Sequence, residues 1–321
     1  MRVNRVALST ADDSGRAGRF NAWMDMPIFS PDTLGASPFS VLAPVRQTVP
    51  LVFASPHSGR DYAPAFLDAA RLDAAGLRRS EDSFVEQLFA AAPEFGAPLL
   101  CAHFPRAFCD PNREAWELDP AMFADALPPW VNTTSPRVGA GLGTIARVVA
   151  SGEAIYRHKL RFAEAQARVQ DYWQPYHEAL AGLIAATVGS FGACLLIDCH
   201  SMPTSQPPAN TMRGPDIVLG DAHGTACSSR ITQVVEGTLV GLGYTVRRND
   251  PYAGGYVTRH YGRPREHVHA LQIEIARNLY MDEAKIEKQA GFSRLQADLK
   301  AMIEVLTQAI PDILPTPTAS G

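Results

Sequence analysis

The feature that most constrains the fold is the alternation of short apolar runs with longer amphipathic stretches. Six apolar runs, bounded by polar or turn-forming residues, predict buried strands at Leu51–Ser55, Pro98–Phe104, Ala193–Cys199, Asp216–Gly220, Tyr244–Arg248 and His269–Ile275. Between them, apolar residues at helical spacing predict helices at Ser80–Ala92, Gly152–Thr187, Cys227–Leu242 and Phe292–Ile310. Ser80 could serve as the N-cap of the first helix, and Pro175 should kink or break the second.

Strands that alternate with helices indicate an α/β protein, a three-layer α/β/α sandwich around a central mixed, largely parallel sheet. The chain has 321 residues, 46% of them hydrophobic, which is enough for one large core. We expect an irregular N-terminal segment at residues 1–35 and a single catalytic domain at 36–310. Residues 311–321 are rich in Pro, Thr and Ser and are expected to form a disordered tail.

Charge and composition narrow the class of partner. The net charge of -4 provides no basic field, so neither nucleic acid nor an anionic membrane is expected to bind. No secretory signal or membrane-spanning run is visible, and the five cysteines form no CxxC pair. We therefore predict a cytoplasmic protein with reduced cysteines, without a prediction of its oligomeric state.

Two predicted strands deliver a histidine at the point where the strand opens into a loop. His57 follows the first strand and His200 follows the third, and a serine comes after each histidine. Ligands of open α/β sheets bind beyond the carboxyl ends of the strands, so the pair favours a shared metal over two separate structural histidines. Asp198 lies on the same strand face as His200 and could accept the second N–H of the imidazole, unless it merely ends the strand.

Neutral imidazoles combined with one carboxylate suit Zn²⁺ and leave a position for a catalytic water. The carboxylate does not come from an HExxH motif, because Ala181 stands where the second histidine after His177 would be. Nor does it come from HxxE, because Arg60 occupies that position. Glu81 and Asp82, in the first turn of the predicted helix, are the natural candidates, although acids also favour such positions through the helix dipole.

One carboxylate and several polar side chains could take part in catalysis and substrate binding. Glu274 stands between two isoleucines in the last predicted strand, where a carboxylate is costly unless it is paired or used. Burial would raise its pKa, which suits a general base acting on metal-bound water; a salt bridge to an arginine is the alternative. Arg106, Asn112 and Arg113 could clamp a carboxylate and polarise a carbonyl.

A glycine-bearing loop, Tyr252 to His260, could close over such a site and bring Arg259 or His260 to the substrate. Other common motifs are absent. The glycines of Gly139–Gly143 lack GxGxxG spacing, and neither GxxxxGK nor GxSxG occurs, which argues against a dinucleotide site, nucleotide hydrolysis and a serine esterase.

Five motifs together resemble the N-formylglutamate amidohydrolase family, in order over about Pro38 to Leu299. They are Ser55–Gly59, Ser80–Asp82, Asp110–Arg113, Asp198–Ser201 and Gln272–Ile275. Enzymes of this family hydrolyse N-formyl-L-glutamate to formate and L-glutamate, the last step of one histidine degradation route. Their fold resembles that of zinc carboxypeptidases and aspartoacylases, and the same fold is therefore implied here.

The resemblance implies that His57 and His200 bind zinc and that the third ligand is an acid of the Glu81–Asp82 pair, with Asp82 the better match. It further implies a set of catalytic and substrate-binding roles: Glu274 as general base, Arg106 as the residue that stabilises the oxyanion, and Asn112 with Arg113 as the pair that holds a substrate carboxylate. The chain departs from carboxypeptidases and aspartoacylases at Arg60, where their HxxE glutamate would stand.

The predicted function is zinc-dependent hydrolysis of a small acidic N-acyl amino acid, N-formyl-L-glutamate. Two alternatives stay open. A related metallo-deacylase or carboxypeptidase would use the same metal site with a different pocket for another N-acyl amino acid. A non-catalytic binding protein would keep the fold without turnover.

Overall fold

A mixed seven-stranded sheet forms the centre of the protein. The computed structural model describes residues 37–204 and 214–314, and within them the strands lie in the order β1-β3-β2-β4-β7-β5-β6. The strands are β1 Phe39–Leu42, β2 Leu51–Ser55, β3 Leu99–Ala102, β4 Cys194–Met202, β5 Ile217–Gly220, β6 Val246–Arg248 and β7 Val268–Ala276. β1 pairs with β3 and β5 with β7 in antiparallel fashion, whereas the other neighbours are parallel. The predicted mixed, largely parallel sheet is confirmed.

Helices cover both faces of this sheet. The α-helices in the described residues are α1 Pro64–Ala69, α2 Ala74–Arg78, α3 Val85–Leu88, α4 Pro136–Gly139, α5 Phe162–Arg168, α6 Gln174–Phe191, α7 Ser229–Gly241, α8 Tyr256–Tyr261 and α9 Gly291–Ile313. Two short strands, β8 Met281–Asp282 and β9 Glu287–Lys288, form a separate hairpin.

Side-chain alternation along the strands produces the three layers. On β2, Leu51 and Phe53 point into a core that also contains buried residues of α7 and α9. Val52 and Ala54 point the other way, into a core with buried residues of α5 and α6. Because both faces are apolar and covered, the predicted α/β/α sandwich is confirmed.

The predicted helix Ser80–Ala92 is wrong over most of its length, since only α3 is α-helical. Residues 80–84 form a turn that ends at Phe84 in the left-handed region, φ 68°. Arg277 donates to the backbone carbonyl oxygens of Arg79 and Glu81, so these groups find partners outside a helix. Ser80 does not cap a helix; its hydroxyl accepts a hydrogen bond from the Ala150 amide.

Other boundaries differ by less. β1 was not predicted, because its half-exposed edge position leaves no apolar run. The predicted helix 152–187 begins only at Phe162 and runs through to Phe191. Pro175, which cannot donate to the carbonyl one turn earlier, does not break it: the π-helical turn Val169–Trp173 absorbs the defect.

The last helix continues past Ile310 to Ile313. The predicted N-terminal segment, 1–35, and residues 315–321 of the predicted tail lie outside the described residues. All five cysteines are buried and free. In the parts of the chain that the structure describes, no helix combines the length and apolarity needed to cross a bilayer.

Candidate metal centre and active site

Three buried side chains converge at the carboxyl end of the central strands. His57 lies just after β2, His200 lies near the end of the adjacent β4, and Asp82 lies in the turn before α3. One ligand atom from each residue lies within 4.8 Å of the others. Oδ2 of Asp82 is 3.3 Å from Nδ1 of His57 and 3.0 Å from Nδ1 of His200. The sheet therefore assembles residues that are far apart in the chain.

The outer nitrogen of each imidazole faces a second carboxylate. Nε2 of His57 is 2.7 Å from Oδ1 of Asp110, and Nε2 of His200 is 2.9 Å from Oδ1 of Asp198. Asp110 accepts the Nε2–H of His57 and fixes the tautomer whose Nδ1 lone pair points inward. The contact between His200 and Asp198 is a close approach of charges, because Oδ1 of Asp198 has no hydrogen-bond partner among the described residues. Asp198 lies beside His200, as the strand pattern predicts, and its role as the acceptor of the imidazole N–H stays a prediction. The same role for Asp110 was missed, although its motif was recognised.

This arrangement fits a bound cation. Nδ1 of His57 is buried and has no hydrogen-bond partner among the described residues. Burial opposes charging, yet the carboxylates of Asp198 and Asp82 raise the pKa of His200 well above its usual range. Burial also opposes the charged form of Asp82, but the hydrogen bond with His200 and the nearby imidazole of His57 hold its pKa well below the usual range. Two imidazole nitrogens and one carboxylate oxygen are a donor set that zinc prefers, and the metal would take the place of the shared protons.

Asp82 rather than Glu81 faces the two histidines. Oδ1 of Asp82 accepts a hydrogen bond from Arg277 at 3.2 Å, which leaves Oδ2 turned toward the imidazoles. The Glu81 carboxylate accepts hydrogen bonds from Arg78 at 3.0 Å and from Ser83 at 2.7 Å. Because the segment is a turn and not a helix, the two neighbouring acids point to different places, and the alternative ligand Glu81 is not brought to the cluster.

We expect Asp82→Asn to weaken zinc binding by at least roughly 10–100-fold, because an amide replaces the negatively charged oxygen that faces both imidazoles. Glu81→Gln removes an equal charge from a neighbouring buried position and should change zinc affinity much less. Competition with a chromogenic chelator measures both constants. The reverse order of the two variants would assign the third ligand to Glu81.

Glu274 lies beside the cluster, opposite His200 in the register of β4 and β7. Its side chain is buried, and burial together with the charge of Asp82 raises its pKa to about 7, against an opposing effect of His200. Gln272 donates a hydrogen bond to Oε1 of Glu274 at 2.8 Å. Glu274 forms no ion pair within residues 37–204 and 214–314, so the structural salt bridge considered from the sequence is not what holds it there.

A cavity of about 350 Å³ opens onto these groups, within the size range of small-molecule sites. His57, His200 and Glu274 line it, together with the predicted polar residues Arg106, Asn112, Arg113 and Arg259. Nη2 of Arg106 donates to Oδ2 of Asp110 at 2.8 Å, so one carboxylate holds both Arg106 and the imidazole of His57.

Two further cations of this cavity, Arg113 and Arg259, donate a hydrogen bond to no carboxylate of the described residues. Arg113 donates to the carbonyl oxygens of Leu142 and Asn112, and burial lowers its pKa to about 10, so it stays protonated at pH 7. Arg259 donates to the carbonyl oxygen of Gly254. Asn112 is fixed by the Val257 amide, which donates to its Oδ1 at 2.8 Å. The arrangement can bind an anion beside a hydrolytic centre.

The family model described as N-formylglutamate amidohydrolase matches residues 49–281, which include every residue of the cluster and the cavity described above. The chain belongs to the N-formylglutamate amidohydrolase family.

Similar proteins of this family have known sequences and structures. An N-formylglutamate deformylase of Pseudomonas aeruginosa is 32% identical over 277 residues, 84% of this chain and 96% of the relative. One from Pseudomonas putida is 29% identical over 240 residues, 74% of this chain and 84% of the relative. A crystal structure of N-formylglutamate amidohydrolase from Ralstonia eutropha JMP134 superposes with a TM-score of 0.80 at 38% identity, covering 85% of this chain and 98% of that one.

One residue predicted for the site of this amidohydrolase family member is not brought to it. His260 is exposed at the end of α8, stacked on Tyr256 with ring centroids 4.8 Å apart, and does not line the cavity. Arg259 does line it. Successive residues of a helix point about 100° apart, so only one of the two can face the site.

Besides the role of Asp110, two positions that support the candidate site were missed. Gln272 accepts a hydrogen bond from the Gly255 amide at 2.7 Å and so links the glycine-bearing loop to Glu274. Arg277 holds Asp82 and the turn before it. Both stand two or three residues from Glu274. Gln272 is a polar side chain in a largely apolar strand, and Arg277 is the first residue after that strand.

Proposed function

We propose that the protein is a zinc-dependent hydrolase that converts N-formyl-L-glutamate to formate and L-glutamate. The observation that carries the proposal is the buried His57–Asp82–His200 cluster at the wall of a cavity that also contains Glu274 and two arginines held by backbone carbonyl oxygens. The names of the similar proteins, N-formylglutamate deformylase and N-formylglutamate amidohydrolase, support the substrate.

Nδ1 of His57, Nδ1 of His200 and the Asp82 carboxylate would hold the zinc. When bound, the ion supplies a Lewis acid and lowers the pKa of a water molecule toward about 7. Glu274 takes a proton from the attacking water and delivers it to the nitrogen as the C–N bond breaks. Arg106, kept in place by Asp110, donates to the oxygen of the amide carbonyl as negative charge develops there.

Substrate recognition falls to the polar side of the cavity. Arg113 and Asn112 are proposed to hold the α-carboxylate, and Arg259 the side-chain carboxylate. The guanidinium groups of Arg113 and Arg259 donate to backbone carbonyl oxygens, which orient them, and Nε of Arg113 also lies 3.9 Å from Oδ2 of Asp110. Holding both carboxylates keeps the amide between Arg106 and Glu274, which lowers the entropic part of the barrier.

The experiment that tests the substrate class compares formate release from N-formylglutamate and N-formylglutamine by the wild type. Arg113→Lys keeps the charge but loses the two-pronged geometry. It should lower kcat/KM for N-formylglutamate by about 10- to 200-fold, which is roughly 1.5–3 kcal/mol. Zinc content should not change. If Arg259 holds the side-chain carboxylate, the loss in kcat/KM from replacing N-formylglutamate by N-formylglutamine and the loss from Arg113→Lys should be roughly additive in free energy.

Equal turnover of the two substrates by the wild type would contradict the acidic substrate and favour a deacylase for another N-acyl amino acid. A zinc-loaded protein that binds N-formylglutamate without releasing formate would favour the non-catalytic alternative. A place in histidine degradation is also proposed, on the family resemblance alone. The cytoplasmic location stays a prediction, with the five free cysteines in its support.

A further inference from the structure

The cleft beside Glu274 has two lobes. The lobe described above is lined by the imidazoles and by Arg259, and we call it the arginine lobe. A second cavity of about 280 Å³ shares part of its lining with this lobe. Both cavities are lined by Arg106, Arg113, Tyr252 and Glu274, so they meet where the scissile amide would lie.

The second lobe differs in chemistry from the first. Its wall is mainly apolar, and we call it the apolar lobe; the apolar side chains that line it are Ala107, Leu142, Ala146, Val148, Ala150 and Pro203. Arg277 also lines it, but that guanidinium is already used by Asp82 and by two backbone carbonyl oxygens. Among the described residues, the other charged groups of the lobe are Arg106, Arg113 and Glu274, which it shares with the arginine lobe, and Asp110, which is paired with Arg106 and His57.

The direction of the substrate follows from the charges. The two carboxylates of the amino acid match the arginine lobe, and the carbonyl must lie between Arg106 and Glu274. The remaining substituent of the carbonyl carbon then points into the apolar lobe. In a formyl group this substituent is a hydrogen atom, which leaves a lobe of about 280 Å³ without contact to the substrate.

We propose that the apolar lobe is an acyl-chain subsite, so that the protein also hydrolyses N-acyl glutamates whose acyl group is a neutral aliphatic chain of two to four carbons. This inference rests on the proposed function. The reaction is the same: water adds its oxygen to the carbonyl carbon, the C–N bond breaks, and the nitrogen gains a proton. The products are a short carboxylate and L-glutamate.

Two acids, Asp110 and Glu274, line the lobe, and each already has a partner or a proposed role. Asp110 holds Arg106 and His57, and Glu274 is the proposed base. Within the described part of the chain, no further carboxylate lines the lobe to meet an ammonium group. A neutral acyl chain fits this lining, whereas an aminoacyl group with a free α-ammonium does not.

The test measures kcat/KM for N-acetyl-, N-propionyl- and N-butyrylglutamate with the zinc-loaded enzyme, by detection of released glutamate. Each methylene that enters an apolar lobe should contribute about 0.8 kcal/mol, so kcat/KM should rise by about 2- to 4-fold per carbon from acetyl to butyryl. N-formylglutamate is left out of the trend because its carbonyl is intrinsically more reactive. Absence of turnover for all three, or a steady decline with length, would overturn the proposal.

A variant places the effect in the lobe. Ala150 is exposed at the lobe and its backbone amide donates to Ser80, a bond that a larger side chain leaves intact. Ala150→Phe should lower kcat/KM for N-butyrylglutamate by at least about 10-fold and for N-formylglutamate by less than about 2-fold. Ala186→Phe, at an exposed position of α6 that lines neither lobe, is the matched control. An equal loss on both substrates at position 150 would count against the subsite.

Ala146→Leu narrows the lobe from a buried position and gives a second test should the aromatic ring introduced by Ala150→Phe turn into solvent. Turnover of N-formylglutamate reports whether either variant is folded. The test distinguishes failure of the acyl-chain subsite from failure of the proposed hydrolysis of N-formylglutamate. Formate release with an inert acyl series removes the acyl subsite alone, whereas acyl turnover without formate release removes the proposed substrate and leaves the subsite standing.

Discussion

Glu274→Gln is expected to lower kcat by roughly 10²–10⁴-fold while zinc stays bound. Glutamine has the size of glutamate and can still accept the hydrogen bond from Gln272, but it cannot take a proton from water or return one to the leaving nitrogen. The loss corresponds to about 3–5 kcal/mol of activation free energy. Steady-state formate release together with metal analysis of the same sample measures it.

The pH profile of the wild type supplies the matching control. Activity needs Glu274 deprotonated, so kcat/KM should fall as the pH drops through its pKa, which is about 7 in the absence of metal. A bound dication favours the carboxylate and moves this limb to lower pH. Glu274→Gln should lose the limb. A variant with near-normal kcat and an unchanged profile would make Glu274 a structural residue.

The central strands were predictable from the sequence because they are buried on both faces. Residues 51–54, for example, are continuously apolar, so the strand is visible as an apolar run. The histidines were predictable for a related reason, since each follows or ends such a run. Once the strands were placed side by side, the rule that ligands bind at their carboxyl ends brought His57 and His200 together.

The turn that contains Asp82 could not be predicted from the sequence in the same way. The spacing of Phe84, Leu88 and Ala92 predicts a helix that begins at Ser80. The backbone carbonyl oxygens of Arg79 and Glu81 are instead bound by Arg277, which is almost 200 positions away in the chain. Helix propensity depends on local sequence and carries no information on a partner so distant in the chain. The choice between Glu81 and Asp82 depends on this turn, and for that reason the sequence left both open.

Asp110 shows a second limit. Its motif was visible, yet a carboxylate beside Arg106 and Arg113 looks like an ordinary surface ion pair in the sequence. Only the fold reveals that its other oxygen lies 2.7 Å from His57. The buried Asp110 thus couples Arg106, the proposed oxyanion group, to His57, a proposed metal ligand. Asp110 and His57 are 53 positions apart in the chain.

Removal of a cluster imidazole should have the largest effect on the metal. His57→Ala and His200→Ala each delete one of the proposed nitrogen ligands, and two donors are too few to hold zinc in competition with water. Loss of a residue that hydrogen-bonds to a metal ligand lowers metal affinity by up to roughly 100-fold. We expect zinc affinity to fall by more than this when the ligand itself is removed, and the rate of formate release to fall as well. Metal content after dialysis and chelator competition give the two affinities directly.

The control is another buried histidine. His269 lies on β7, beside β4, and its ring accepts a hydrogen bond from the Ser228 amide rather than facing the cluster. His269→Ala removes the same number of atoms from the interior, so any loss of zinc through general destabilisation would appear there too. Zinc retained at one ion per chain in both His57→Ala and His200→Ala, with unchanged formate release, would show that the cluster is not the metal site. Loss in the two cluster variants but not in His269→Ala would tie the metal to the imidazoles of His57 and His200, whose Nδ1 atoms both face Oδ2 of Asp82.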